Sequence, residues 1–262
     1  MSTINTDAVA REIFDAVRAG RQITPFSARG DGFDHDSAVA VATRLRALRG
    51  EPVVGRKIGF TNRSIWPLYG VDAPMWGDLT HTSVRALDGT PFSLSPYLEP
   101  RLEPEVALKL RTAPTPAMDE RALLETVDWF APAFEIVHSV YPGWRFTLED
   151  CAAMGALHGA LLLGPAVPNG AFANALPALT LQLFQNGDLC ATGRGADVLD
   201  GPMAALRHLV AALSADGAAP LAAGDIVTTG TLTDALKVAP GAHVEARFCD
   251  TPLSTIAVTF AH

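Results

Sequence analysis

The apolar positions of the first fifty residues fall at helical spacing. Ala8, Ile13, Phe14 and Val17 fill one face, and Ala38, Val41, Ala42, Leu45 and Leu48 fill a second. A loop rich in Gly and Asp, Thr24 to Asp36, separates the two helices. From Val53 onward the texture changes to short β-branched and apolar runs divided by Gly and Pro. It predicts strands at Val53-Val54, Val106–Leu110, Ala133–Val140, Leu179–Gln185, Ile226–Thr229 and Val244–Phe248. Helical spacing returns at Asp119–Thr126, Leu148–Leu163 and Pro202–Leu213, where Pro202 stands at a first-turn position. The pattern therefore divides the chain near Gly50 into a helical part, 1–50, and a β-rich body, 51–262.

Two turn signals sharpen the fold class. Asn186-Gly187 lies between apolar runs, and an Asn-Gly pair suits a tight hairpin because both central residues of a type I′ turn need positive φ. Pro240-Gly241, ahead of Val244–Phe248, marks a second turn. Together they predict an α+β fold with an antiparallel, curled sheet in the C-terminal half, rather than a βαβ array. Thr112–Met118 reads as a surface loop by composition, and no internal repeat is visible.

Composition narrows the function. The 262 residues are 48% hydrophobic and only 18% charged, against roughly 25% charged in average soluble proteins. Hiding the excess apolar surface predicts association into an oligomer. With 20 Lys plus Arg against 28 Asp plus Glu, a net charge of -8 and no basic run, there is no footprint for nucleic acid. Cys151, Cys190 and Cys249 are odd in number and far apart, which argues against a disulfide framework and against a zinc site. The first residues lack a basic region followed by an apolar one, so the expected location is cytoplasmic. The uncharged run from Cys151 breaks at Pro165, short of the roughly 20 apolar residues that span a bilayer. It reads as a buried core helix, with no membrane role.

The residues able to carry chemistry are few. Glu103 and Glu105 stand at i and i+2 where a strand begins, so their side chains leave the same face. Like charges so close raise each other's pKa unless a cation neutralises them. Glu135, inside an apolar strand pattern, would be costly to bury unpaired. Either the first two are solvated charges ahead of a strand, or all three form an oxygen-rich site suited to Mg²⁺ or Mn²⁺. Gly55-Arg56-Lys57-Ile58-Gly59 places a lysine between glycines, either as a surface charge or as a group that binds a carboxylate or moves protons. Thr228-Thr229-Gly230-Thr231 offers hydroxyls and N–H groups to an anion, or is a turn alone. His138 and His158 lack paired metal-ligand spacing, and Asp34-His35-Asp36 are loop neighbours that need not face one another. No third glycine completes a dinucleotide fingerprint after Gly193 and Gly195, and there is no Walker loop or nucleophile elbow.

Read in order, several segments resemble one family. They are Gly55–Gly59, Gly70-Val71-Asp72-Ala73-Pro74 with Gly77, Glu103-Pro104-Glu105, Phe134-Glu135-Ile136-Val137, Asn186-Gly187 with Thr192-Gly193, and Gly224–Val227 with Thr229–Thr231. The family is the 2-keto-4-pentenoate hydratase and 2-oxo-3-hexenedioate decarboxylase family of the fumarylacetoacetate hydrolase superfamily. The resemblance implies a curled mixed sheet with packed helices, a homo-oligomer, and Mg²⁺ or Mn²⁺ held by Glu103, Glu105 and Glu135. It puts Lys57 on the active-site lysine and assigns Thr231, with Gly59 and Leu108, to substrate. The implied activity is that of a lyase on a small unsaturated 2-oxo acid of aromatic catabolism, through a metal-stabilised enolate. Hydration leads. Decarboxylation, or a non-catalytic metal-binding role beside a related lyase in a hetero-complex, is the alternative.

The sequence also departs from the hydratase pattern. Met75 stands where hydratases carry an aspartate, His138 where an aspartate is usual, and Met154-Gly155-Ala156-Leu157-His158-Gly159 replaces a polar Asp-Asn-x-Ser stretch. Asp72, Asp78, His138 and His158 are the candidates for the missing proton-handling group, with Asp78 and His138 carried forward beside Lys57 as catalytic.

Overall fold

A computed structural model describes residues 4–30, 32–69, 71, 73–172 and 176–262. Among them the N-terminal helices are α1 (Thr6–Arg18) and α2 (His35–Arg49), followed by β1 (Val53–Gly59), the short α3 (Trp66–Tyr69), β2 (Met75–Thr80) and β3 (Val84–Ala86). The middle of the chain supplies β4 (Arg101–Leu110), α4 (Glu120–Glu125), β5 (Val127–Val137), α5 (Leu148–Ala153), β6 (His158–Leu163) and β7 (Val167–Pro168). The remainder comprises β8 (Thr180–Gln185), β9 (Asp188–Arg194), α6 (Pro202–Ala215), β10 (Ile226–Thr231), β11 (Leu236–Lys237), β12 (His243–Cys249) and β13 (Ile256–Thr259).

Two sheets carry the fold. The larger runs β2-β1-β10-β4-β5-β6-β3, with β11 added to β4 and β7 to β5; it is mixed, because β1 pairs β10 and β3 pairs β6 in parallel. The smaller is the antiparallel set β13-β12-β8-β9. Its Asn186-Gly187 hairpin has both central residues at positive φ, 53° and 92°, as the sequence required. Apolar side chains from both sheets and from α6, among them Leu108, Phe130, Leu206 and Val244, form one buried cluster, each contributing about 1.5–3 kcal/mol of transfer free energy.

Three expectations need correction. The helix foreseen over Leu148–Leu163 stops at Ala153; a turn follows and His158–Leu163 is strand β6, between β5 and β3 in the large sheet. A fully buried strand is apolar on both faces, so its sequence carries no alternation to set it apart from a buried helix. The turn at Pro240-Gly241 exists, but it does not close a hairpin, since β11 pairs β4 in one sheet and β12 pairs β8 in the other. Strands β2, β3, β7 and β13 have no counterpart in the expected elements.

The helical N-terminus packs on the body rather than standing apart. Ile13, Val41 and Leu45 share a cluster with Met75, Val137, Tyr141 and Met154. One carboxylate pins this contact: Asp150, fully buried, accepts from the amides of Phe26 (2.8 Å) and Ser27 (3.2 Å) while closing the capping box of α5 with Thr147. Asp150→Ala should lower unfolding free energy by at least about 3 kcal/mol, because several donors lose their acceptor at about 1–3 kcal/mol each. A loss below about 1 kcal/mol in denaturant titration would show that those donors find other partners.

Candidate active site

Five adjacent strands, β1, β10, β4, β5 and β6, deliver the chemistry to one place. Glu103 and Glu135 are direct cross-strand partners on β4 and β5, and Thr231 of β10 pairs Glu105. Glu103 and Glu105 leave the same face of β4, two residues apart. The three glutamates each offer an oxygen within 4.8 Å of the others. Lys57 of β1, 4% exposed, reaches across to Glu135, its Nζ 3.4 Å from Oε2. Above them lies a cavity of about 340 Å³, floored by Lys57, Glu103 and Glu105 and walled partly by Met75, Phe146 and Leu157.

The electrostatics of this cluster are unbalanced. Burial raises all three carboxyls; Lys57 opposes this for each, and lies nearest Glu135. Glu135 ends below its ordinary value, because Lys57 and the His158 hydrogen bond outweigh its burial. Glu103 is pushed to about 7 and Glu105 well above its ordinary range, by desolvation and by the other carboxylates. Burial alone would lower the Lys57 ammonium, but Glu135, Glu103 and Glu105 hold it raised.

The donor set fits a hard divalent cation. Glu105 accepts the Gly230 amide through Oε2 (2.9 Å), while its Oε1 is buried with no hydrogen-bond partner. Such an orphan costs free energy until a donor or a cation meets it. Three ionised carboxylates and one ammonium carry -3 + 1 = -2, which one divalent ion neutralises. All donors are oxygens, the set preferred by Mg²⁺ and Mn²⁺.

This arrangement sets a pH dependence. A carboxyl raised in the folded state, as Glu103 is to about 7, adds stability that is complete below its ordinary value of 4.5 and is lost as pH rises through about 7. Metal-free protein should therefore melt at falling temperature as pH rises from about 5 to about 8. Mg²⁺ should remove most of that fall and release protons on binding. Calorimetry in two buffers of different ionisation enthalpy checks the release, and equal heats would contradict it.

The structure brings some of the expected residues together and leaves others apart. Lys57, Glu103, Glu105, Glu135, Gly59 and Thr231 all meet at this cavity or its floor. A Cβ at Gly59 would lie 3.3 Å from Lys57 Nζ, so glycine leaves the ammonium room. Of the threonine segment, which is the end of β10 rather than a turn, Thr229 and Thr231 donate their hydroxyls to the carbonyls of Val106 and Thr233, and only the Gly230 amide reaches a carboxylate. Leu108 stands three residues beyond Glu105 and so faces the opposite side of β4, in the apolar core. Asp78 pairs Arg56 (3.2 Å) and Arg46 (3.4 Å) and lines a separate cavity against α2. His138 is also elsewhere: burial, then Arg49, push it down to about 3, and it packs edge-on against Tyr97. Gly70 and Asp72 lie outside the described residues. The imidazole that touches the cluster is His158, with Nδ1 2.8 Å from Glu135 Oε1.

Comparison with known proteins agrees with this geometry. The family model for the fumarylacetoacetate (FAA) hydrolase C-terminal region matches residues 80–260. A 2-hydroxyhexa-2,4-dienoate hydratase from Comamonas testosteroni is 30% identical, over 88% of this chain and 89% of the relative. A 2-keto-4-pentenoate hydratase from Paraburkholderia xenovorans (strain LB400) is 31% identical, over 92% and 90%. The solved structure of 4-oxalocrotonate decarboxylase from Pseudomonas putida G7, complexed with magnesium and adipate, superposes with a TM-score of 0.90 at 23% identity, covering 99% of this chain and 100% of the other. With a family model spanning well over half of its residues and relatives aligned along nearly all of it, the chain belongs to the fumarylacetoacetate hydrolase family.

Proposed function

We propose that the protein is a metal-dependent lyase that hydrates a small unsaturated 2-oxo acid such as 2-keto-4-pentenoate. One observation carries this reading: three glutamates within 4.8 Å, one with an unpartnered buried oxygen, beside a buried lysine at the floor of a cavity. The hydratase names of the aligned relatives support it. Glu103, Glu105 and Glu135 would hold Mg²⁺ or Mn²⁺, which when bound supplies Lewis-acid polarisation of the substrate's 2-oxo group. The rest follows from the chain itself. Lys57 presents a desolvated positive charge where the substrate gains negative charge, and a fixed charge in a dry site acts more strongly than in water. Met75, Phe146 and Leu157 line the space for the hydrocarbon chain and keep bulk water from it. Thr231 lies at the edge of the cavity, and its hydroxyl would meet the substrate carboxylate by turning away from the Thr233 carbonyl it now bonds.

A specific observation favours decarboxylation as the second reading. Met75, only 9% exposed, and the Cys151 thiol, pushed up to about 12 by burial, line the cavity where an acid-base group would stand, and neither moves a proton near neutral pH. Loss of CO₂ needs an electron sink but no activated water. Purified protein with Mg²⁺ should bleach the ultraviolet absorbance of 2-hydroxypenta-2,4-dienoate without gas. Bleaching of 2-hydroxymuconate with CO₂ release would transfer the assignment to the second reading, and no bleaching of either would defeat both.

No described helix is long and apolar enough to cross a membrane. The lean charge content supports a homo-oligomer, and the free cysteines support a reducing, cytoplasmic setting. Size-exclusion chromatography with light scattering tests the first of these.

A further inference from the structure

Strand β6 pairs β5 with Leu161 opposite Glu135 and Ala160 opposite Ile136, but His158, not Gly159, stands opposite Val137. One residue has been inserted. In an unbroken antiparallel ladder His158 would share the face of Ile136 and point away from the carboxylates, because side chains alternate. The bulge at Gly159 turns it onto the face of Glu135 and Val137, as bulges beside functional sites re-aim side chains. Gly159 is needed there, since a Cβ would lie 2.8 Å from the Ile136 carbonyl oxygen and 2.9 Å from the Tyr97 ring. The segment that leads in is held unusually as well: Gly155, Ala156 and Leu157 all have positive φ (75°, 57° and 62°). Non-glycine residues adopt that region only where the surroundings impose it.

The re-aimed ring is bonded at both nitrogens. Nδ1 lies 2.8 Å from Glu135 Oε1 and Nε2 lies 2.8 Å from Ser83 Oγ, and Ser83 Oγ in turn receives the Thr80 amide at 3.0 Å. An ionised carboxylate only accepts, so in the neutral ring Nδ1 carries the hydrogen, and the one Ser83 hydroxyl hydrogen turns to Nε2 rather than to the Thr80 carbonyl 3.1 Å away. Glu135 is thus fixed on one oxygen by His158 and approached on the other by Lys57.

We propose that His158 is a positioning residue for the metal centre: through the train Thr80–Ser83–His158 it fixes the rotamer of Glu135, so that this carboxylate converges with Glu103 and Glu105. The proposal rests on the reading of the three glutamates as metal ligands. A ligand carboxylate left without its outer hydrogen bond binds more weakly, typically by about 10- to 100-fold in metal affinity.

Mn²⁺ affinity, measured by electron paramagnetic resonance of the free ion, tests this without reference to turnover. His158→Ala should weaken binding by about 10- to 100-fold. His158→Asn places an amide N–H near the position of Nδ1 and should restore most of the affinity. His158→Gln places its amide near Nε2, reaches Ser83 but not Glu135, and should stay weak. Ser83→Ala should fall between. Melting of the metal-free variants separates general loss of structure from loss of metal, and if the alanine variant does not fold, the Asn and Gln pair decides alone. Equal affinities for Asn and Gln, or an alanine variant that binds as wild type does, would overturn the proposal. Wild-type protein that binds no Mn²⁺ would overturn the metal-centre reading itself.

Discussion

Glu105→Gln should cut dienol turnover by about 10³-fold, because a ligand lost from the cluster forfeits about 4 kcal/mol of transition-state stabilisation. The same change should raise the melting temperature of the metal-free protein. Gln keeps an acceptor for the Gly230 amide, which now bonds Oε2 at 2.9 Å, and it removes a buried acid whose Oε1 has no partner. It also takes out of the buried cluster the acid that desolvation, Glu135 and Glu103 press upward. Opposite signs for activity and metal-free stability distinguish loss of a ligand from loss of the fold. Turnover within about tenfold of wild type would remove Glu105 from the centre.

Lys57→Met should be the second large effect, and it splits differently. The methionine fills the same space but leaves Glu135, fully buried, without its cationic neighbour. Breaking a buried pair in this way costs about 3–5 kcal/mol, so the metal-free variant should be markedly less stable. A divalent ion supplies part of the missing charge, so Mg²⁺ should raise the melting temperature of Lys57→Met by more than it raises wild type. Turnover should fall by about 10²–10⁴-fold even with saturating metal, since the ammonium also faces the cavity. A variant as stable as wild type without metal would mean that Glu135 is protonated in the absence of an ion, and that Lys57 acts on substrate alone.

Much of the site was legible in the chain because strands alternate. The spacing of Glu103 and Glu105 put two acids on one face without knowledge of any other strand, and the same rule places Leu108, an odd number of residues further, on the opposite face in the core. Asp78 and Arg56 are cross-strand partners, so Asp78 shares a face with Arg56 and faces away from Lys57. That pairing exists only once β2 lies on β1. Strand β6 hid for a different reason: buried on both faces, Leu161 and Leu162 carry no polar alternation, and the run reads as helix until the sheet closes around it.

By itself, then, the sequence determined the helical start, the tight hairpin at Asn186-Gly187, the acid pair of β4 and the lysine between glycines, because each depends on local periodicity or on φ. The tertiary structure decided what those residues meet. Glu135 joins Glu103 only through the register of β4 on β5, Lys57 reaches them across β10, and a one-residue bulge at Gly159 turns His158 onto the face of Glu135. Register and bulges are set by long-range pairing and by packing between sheets. A shift of one residue reverses a side chain's face without altering the local pattern that the sequence displays.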